Sequence, residues 1–241
     1  VVGVGMRQDD GVERDGPERG EAREKPRPSE VVGSIEGAAP VDEATGLARV
    51  VSVIEALARE GALVSVDTTK PGVMRAAIGA GAAIVNDVGA LGAPGAIDAV
   101  AGSGVAVCLM HMRGTPATMQ SAPEYADVVA EVRGFLEARA RACEAAGIAR
   151  DRIVVDPGFG FGKTLAHNLD LLARLDEIAA SGYPVLAGLS RKSMLGAITG
   201  RPEGERMAAS VAAALSAVQR GAAIVRVHDV RETVDALAVW R

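Results

Sequence analysis

Six short apolar segments of the sequence each end in polar side chains that could bind a ligand. The polar residues at these ends are Asp67, Asn86, His111, Asp156, Lys192 and, at the last segment, Arg226 and His228. A carboxylate accepts hydrogen bonds from adjacent N–H and NH₂ groups, and a carboxamide both donates and accepts. Asp67, Asn86 and Asp156 therefore suit a fused aminopyrimidinone heterocycle, and their site would reject analogues that lack those donors. The alternative for Asp156 is a structural role as the cap of a following helix.

Cationic side chains at the same segment ends predict an anion-binding region. Arg191, Lys192, Arg226 and His228 could bind phosphate oxygens, because arginine binds them bidentately and a protonated histidine adds a donor. Arg226 alternates with two valines along its segment, which directs it towards the lumen if the segment lies in a barrel. For Arg191 the alternative is a surface salt bridge.

The glycine-rich run Gly158–Thr164 (GFGFGKT) is not a phosphate-binding loop of the nucleotide-binding kind, because the first glycine of that motif would fall on Pro157. We expect instead a loop that wraps a flat ligand, since glycine lets the backbone approach closely. Phe159 could stack on such a ligand. The sequence has no HExxH motif, so a catalytic zinc is not predicted, whereas a Mg²⁺ ion that accompanies a diphosphate would need only one or two protein ligands.

Alternation of apolar runs with alanine-rich amphipathic segments predicts βαβ units and a parallel sheet. The predicted strands are Leu63–Val66, Ala83–Val85, Val105–Met110, Ile153–Val155, Val185–Leu189 and Ile224–Val227. Predicted helices include Asp42–Arg59, Val73–Ala80, Tyr125–Ala146, Asn168–Ala180 and Glu203–Arg220. We expect a TIM (β/α)₈-type barrel that is incomplete at its N-terminus, with six recognisable strand–helix units and an earlier strand ahead of the first helix. In such folds the carboxyl ends of the strands form the binding face.

Composition narrows the function classes. The chain has 241 residues, a net charge of −5 and only 2% aromatic residues, which argues against a nucleic-acid binder that stacks bases and neutralises phosphates. Two cysteines do not make a disulfide framework, and no apolar run reaches 18 residues, so we expect a cytoplasmic protein. Fourteen of the 24 residues from Arg7 to Glu30 are charged. We therefore expect residues 1–36 to be an atypical, disordered segment and residues 37–241 to form the folded domain.

Several longer motifs resemble the dihydropteroate synthase family, in order and at consistent spacing from about Gly37 to Trp240. They read SVDT (65–68), IVNDVGAL (84–91), LMHMRGTPATMQ (109–120), VDPGFGFGKTLAHN (155–168), GLSRKSMLG (188–196), GRPEGERMAAS (200–210) and IVRVHDVRETVDAL (224–237). The resemblance implies a pterin-binding (β/α)₈ barrel that joins 4-aminobenzoate to 7,8-dihydropterin-6-ylmethyl diphosphate and releases diphosphate. It also implies Mg²⁺ as cofactor and a homodimer as the assembly.

The resemblance assigns roles residue by residue. Asp67, Asn86, Asp156 and Lys192 match positions that contact the pterin, Met110, Phe159 and Gly188 match the pocket lining, Arg226 and His228 match residues that bind the leaving diphosphate, and Ser190 and Arg191 match the edge where 4-aminobenzoate lies. We predict Asp67, Lys192, Arg226 and His228 as the catalytic residues, because charge develops on the diphosphate and on the pterin methylene as the C–O bond breaks.

Two parts of the family pattern have no match in this chain. They are the first strand, whose asparagine helps to bind the metal, and the loop after the second strand, so the metal ligand of this chain is not identified. Two alternatives therefore stay open. One is the pterin domain of a corrinoid-linked methyltransferase, and the other is a pterin-binding protein with impaired or no catalysis.

Overall fold

A computed structural model of the protein describes residues 2–4, 42–114 and 123–240, with the backbone alone for residues 2–4. The strands are β1 (Val2–Val4), β2 (Val64–Asp67), β3 (Ile84–Asp87), β4 (Ala106–Met110), β5 (Ile153–Asp156), β6 (Val185–Ala187) and β7 (Ala222–Val225). The helices are α1 (Glu43–Arg59), α2 (Pro71–Gly79), α3 (Ala96–Val100), α4 (Val128–Ala145), α5 (Leu165–Ala173), α6 (Leu175–Ala179), α7 (Ser193–Thr199), α8 (Met207–Gln219) and α9 (Val230–Trp240).

The strands form one parallel sheet whose spatial order, β1 to β7, is the order of the chain. Helices follow β2 through β7, which is the repeating unit of a (β/α) barrel wall. The strands carry continuous apolar runs because both faces of the sheet are covered. Among the described residues, no helix combines the length and apolar character needed to span a bilayer.

The first helix begins where its sequence predicts. The Asp42 carboxylate accepts a hydrogen bond from the Thr45 backbone N–H at 2.9 Å, which satisfies one of the donors that every helix start leaves open. Glu43 follows in the first turn, and Val50 and Ile54 are buried against the sheet. The predicted helix Asp42–Arg59 is confirmed to within one residue.

The strand ahead of this helix is β1, which pairs in parallel with Val64–Val66 of β2. The six recognisable strands and the expected earlier strand together account for the seven strands of the described sheet, and the earlier strand is β1. Its three residues are too few to produce a recognisable apolar run. The rest of the segment predicted to be disordered, residue 1 and residues 5–36, lies outside the described residues.

The six other predicted strands are all present, with shifted ends. β2 and β3 extend through their terminal aspartates, and the last strand lies two residues earlier than predicted. An unbroken apolar run has no periodicity, so it cannot fix where a strand begins. The helix predicted at Asn168–Ala180 is divided at Arg174 into α5 and α6.

Strand register brings the polar ends together. Asp67 is the register partner of Asn86, and Met110 is the partner of Asp156. Because all the strands run in the same direction, their carboxyl ends lie at one end of the barrel. The same end receives the residues that follow β6 and β7.

Candidate functional site

Four side chains form a continuous polar chain across the carboxyl end of the sheet. The Asn86 amide donates to Asp67 Oδ2 at 2.9 Å and accepts from Arg226 Nη1 at 3.3 Å. Arg226 Nη2 in turn donates to Asp156 Oδ2 at 3.0 Å. We call Asp67, Asn86, Arg226 and Asp156 the polar chain. It brings together residues from the ends of β2, β3, β5 and β7, as the sequence predicts.

The ion pair at the end of the polar chain is shielded from solvent. Asp156 is 1% exposed, and the Arg226 side chain is 26% exposed. Burial disfavours the charged form of Arg226, but the surrounding negative groups, of which Asp156 contributes most, together outweigh burial and raise the pKa of Arg226. Burial raises the pKa of Asp67, and the positive charge of Arg226 opposes that rise. The guanidinium of Arg226 therefore favours the charged form of the Asp67 carboxyl.

Gly188 gives the Arg226 guanidinium its place. A Cβ atom at position 188 would lie 2.9 Å from Arg226 Nη2, closer than real Cβ contacts. The backbone N–H of Arg226 donates to the carbonyl of Ala187 at 3.0 Å, which fixes the root of the side chain beside β6. The pocket-lining position predicted for Gly188 thus lies directly against the polar chain.

Asp156 does not cap the following helix. Its Oδ1 accepts the Gly158 backbone N–H at 2.8 Å, whereas α5 begins well after this loop and is capped by the side chain of Thr164. The capping alternative is therefore wrong. Asp156 instead uses one oxygen to shape the glycine-rich loop and the other to hold Arg226.

Two apolar side chains, Met110 and Phe161, and the ammonium of Lys192 pack together near the polar chain. Met110 packs with Phe161, and both are buried. The Lys192 ammonium lies 4.2 Å from the centre of the Phe161 ring, within the range of a cation–π interaction. Lys192 is only 8% exposed and directly precedes α7.

The two phenylalanines of the glycine-rich loop pack in different places. The Phe159 ring is 1% exposed and packs in the main hydrophobic core, whereas the Phe161 ring packs with Met110 and lies against the Lys192 ammonium. Gly158, Gly160 and Gly162 all have left-handed backbone conformations, with φ of 68°, 81° and 63°. Left-handed glycines thus flank each phenylalanine, and sequence alternation alone does not reveal which ring faces the site.

A buried lysine and histidine were not predicted as a pair. Lys163 is 3% exposed, and its Nζ lies 3.0 Å from His111 Nδ1. Burial lowers the pKa of Lys163 to about 7, and burial together with Lys163 lowers the pKa of His111 to about 3. His111 was predicted to line the mouth, but its ring packs against Phe135 and contacts this lysine. The sequence feature that could have indicated this pair is the lysine of the GFGFGKT run, Lys163.

Three further predicted residues form a second group with Asp229, which was not predicted. We call this group the rim: Ser190, Arg191, His228 and Asp229. Ser190 Oγ accepts the backbone N–H of His228 at 3.1 Å and lies 2.9 Å from its Nδ1. Arg191 Nη2 donates to Asp229 Oδ1 at 2.6 Å, and this pair raises the pKa of Arg191. The rim thus ties the loop after β6 to the loop after β7.

Arg191 forms a salt bridge and lies at a strained turn. Its side chain is 34% exposed and held in a salt bridge, as the surface alternative expects. Its backbone has φ of 57°, unusual for a residue other than glycine, and its N–H donates to Ser210 Oγ at 2.9 Å. The strained turn places Ser190 and Lys192 on opposite sides of Arg191, one in the rim and one beside Phe161.

The predicted Mg²⁺ has no protein cage in the described part of the chain. Among those residues, no three His, Cys, Asp or Glu side chains lie together so that they could hold a metal ion. The two carboxylates of the polar chain are already bonded to Asn86 and Arg226, and a guanidinium between them is a poor neighbour for a second cation. These residues do not fit a resident metal ion.

Comparison with known proteins gives the arrangement a family. The model of the pterin binding enzyme family matches residues 32–228. Dihydropteroate synthase of Escherichia coli K12 is 52% identical over 205 residues, covering 84% of this chain and 72% of the relative.

Solved structures agree in fold. Dihydropteroate synthase from Stenotrophomonas maltophilia, with imidazole bound in its active site, superposes with a TM-score of 0.81 at 58% identity, covering 83% of this chain and 77% of that one. The enzyme from Xanthomonas albilineans in complex with 7,8-dihydropteroate gives a TM-score of 0.76 at 56% identity, covering 80% and 72%. The TIM-barrel fold class is thereby confirmed, and the chain belongs to the pterin-binding enzyme family, within which its relatives are the dihydropteroate synthases.

Proposed function

We propose that this chain joins 7,8-dihydropterin-6-ylmethyl diphosphate to 4-aminobenzoate, giving 7,8-dihydropteroate and diphosphate. The observation that carries the proposal is the polar chain, which presents carboxylate and carboxamide groups around a guanidinium at the carboxyl end of a parallel barrel. The relative from Xanthomonas albilineans, which holds 7,8-dihydropteroate, supports the same substrate class.

Recognition of the pterin rests on matching donors to acceptors. The guanidinium of Arg226 offers coplanar N–H groups to Asp156 and Asn86. The aminopyrimidinone edge of a pterin offers coplanar N–H and NH₂ groups of the same kind. On binding, the pterin takes over these acceptors, and Phe161 and Met110 supply the apolar surface for its ring.

The cations then serve the leaving group. Once the pterin holds Asp156 and Asn86, Arg226 can turn to the diphosphate oxygens, and His228 in the rim supplies a second donor nearby. Breaking the C–O bond sends its electron pair to the diphosphate, so stabilising that charge lowers the barrier. Asp67, at the far end of the polar chain, stabilises the positive charge that develops on the pterin methylene.

The arylamine completes the reaction by attacking that carbon. Its nitrogen forms the new C–N bond and then loses one proton to solvent. Because a neutral arylamine needs no strong base, positioning contributes more than proton abstraction. Ser190 and Arg191, in the rim, are suited to orient it, with the guanidinium of Arg191 facing the carboxylate of 4-aminobenzoate.

Three further expectations remain proposals. Mg²⁺ would enter with the diphosphate, which supplies oxygen ligands of its own, because the described side chains do not form a cage. A homodimer is supported by exposed Met207, Val234 and Trp240 on the last two helices, and sedimentation velocity measures it. A cytoplasmic location is supported by two buried, free cysteines, Cys108 and Cys143.

The decisive experiment is product formation by the purified chain from the two substrates, with and without added Mg²⁺. We expect 7,8-dihydropteroate, and we expect Arg226→Met to abolish it. Pterin binding without product would favour the impaired binder. Methyl transfer from methyltetrahydrofolate, without any requirement for a diphosphate, would favour the methyltransferase domain.

A further inference from the structure

A single ammonium group joins two segments that both end at the polar chain. Lys163 Nζ lies 2.9 Å from the carbonyl oxygen of Gly158 and 3.0 Å from that of Phe161, both in the glycine-rich loop. On the other side it lies 3.0 Å from His111 Nδ1 and 3.4 Å from the His111 carbonyl oxygen, which follow β4. Three carbonyl oxygens and a ring nitrogen therefore converge on one buried cation.

We propose that Lys163 is a positioning residue for pterin binding, which holds the glycine-rich loop against the end of β4 and thereby fixes Phe161 and Asp156. The inference rests on the proposed function of the chain. It assigns to Lys163 no contact with the substrate.

The glycines of the loop explain why a cation is needed there. A Cβ atom at Gly158 would collide with the carbonyl oxygen of His111, and one at Gly162 would collide with that of Arg113. The loop backbone thus lies directly on the segment after β4, with no side chain between them. Carbonyl oxygens that face one another at such proximity repel, and an ammonium with three donors converts that repulsion into hydrogen bonds.

Burying a lysine for packing alone is unfavourable, since an apolar side chain fills the same volume without desolvating a charge. The surroundings of Lys163 affect its pKa in opposite directions: burial and Lys192 disfavour the protonated form, while Asp156 favours it. Since Asp156 also holds Gly158 and Arg226, the lysine, the loop and the ion pair form one connected unit.

The neutral form of His111 agrees with this arrangement. An ammonium can only donate, so His111 Nδ1 must accept, which places the ring proton on Nε2. The T-shaped contact with Phe135 at 5.0 Å fixes the ring plane in that orientation. His111 is thereby an acceptor that orients Lys163, and its ring is not a second cation at the mouth of the site.

The test compares Lys163→Met with Arg220→Met. Arg220 also donates to main-chain carbonyls, those of Ala173 and Ser216, but it precedes β7 and lies at the opposite end of the barrel from the polar chain. For each variant we would measure the Kd of 6-hydroxymethylpterin by calorimetry, the Tm and the KM for the arylamine substrate. We expect Lys163→Met to weaken pterin binding about tenfold or more while the KM for the arylamine stays within about twofold, and Arg220→Met to lower only the Tm.

A second substitution and the unaltered chain keep the outcomes distinct. Lys163→Gln retains two N–H donors without the charge, so it should lose less affinity, and it carries the comparison if the methionine variant does not fold. Unchanged pterin affinity in a folded Lys163 variant would overturn the inference alone, as would equal losses for both substrates. A failure of the unaltered chain to bind the pterin would overturn the proposed function and this inference with it.

Discussion

Replacing Asp156 by asparagine removes one charge from the polar chain without changing its shape. In the native chain one Asp156 oxygen accepts the Gly158 N–H at 2.8 Å, and the other accepts Arg226 Nη2 at 3.0 Å. Asparagine keeps a single acceptor oxygen and puts an NH₂ donor in place of the other. Whichever way the amide turns, one donor of the pair Gly158 and Arg226 faces another donor.

The expected loss of pterin affinity follows from the burial of the Asp156–Arg226 pair. Removing one partner of a fully buried ion pair costs about 3–5 kcal/mol, but Arg226 is 26% exposed and can recover part of this in water. A buried polar group left without a partner costs about 1–3 kcal/mol. We expect pterin binding to lose the same 1–3 kcal/mol in the variant, about the cost of one unpaired buried polar group, which corresponds to a rise in Kd of roughly 5- to 150-fold.

The assay is calorimetric titration of 6-hydroxymethylpterin into the native chain, Asp156→Asn and Asp170→Asn, with circular dichroism to verify folding. Asp170 also pairs with an arginine, but its side chain is 45% exposed, and such surface pairs contribute about 0–1 kcal/mol. The control should therefore bind as the native chain does. A folded Asp156→Asn variant with a Kd within about twofold of the native value would refute the assignment of Asp156 to the pterin.

Three other changes probe the backbone and the charge of the site. Gly158→Ala should lower the free energy of unfolding by about 3–5 kcal/mol in urea titrations, because φ at Gly158 is 68° and the added Cβ meets a carbonyl oxygen. The control Gly95→Ala, where φ is 76° and the Cβ meets open space, should lower it by only about 1–2 kcal/mol, and equal losses would contradict the close approach at Gly158. Gly188→Ala should weaken pterin binding about tenfold with little change in Tm, since the Cβ displaces a flexible guanidinium, and unchanged binding would count against that contact. Burial raises the pKa of Asp87 to about 6, above the usual value of 3.8, so the folded chain binds more protons than the unfolded chain between these values and its stability falls as pH rises from about 4 to about 6. Asp87→Asn should reduce that slope, by on the order of 3 kcal/mol over the window, and a slope equal to that of the native chain would contradict the buried carboxyl.

The polar chain could be predicted from the sequence because direction and register are properties of a parallel sheet. Asp67 and Asn86 each follow a buried run by the same offset, so pairing the runs places the side chains side by side. Arg226 was more distant in sequence, but its alternation with valine correctly indicated the lumen. These predictions required only that side chains alternate between the two faces of a strand.

The glycine-rich loop could not be resolved in the same way. Whether Phe159 or Phe161 faces the site depends on three left-handed glycines, and no side-chain pattern records their torsion angles. Lys163 was hidden for a related reason, since its partners are mainly carbonyl oxygens, which every residue carries. An earlier strand was expected, but the bounds of β1 could not be predicted, because a strand of three residues is too short to show periodicity.

The spread of the polar chain over the sequence has a consequence for biosynthesis. Asp67 comes from an early strand and Arg226 from the last one, although the two lie one amide apart in the folded protein. While β7 is still inside the ribosome, the nascent chain exposes three of the four residues of the polar chain, and Asp156 has not yet met the guanidinium of Arg226. The groups for both the pterin and its leaving diphosphate are therefore complete only once β7 is in place, and a bound pterin would then add about 2.7 kcal/mol to the stability of the folded chain at roughly a hundredfold excess over its Kd.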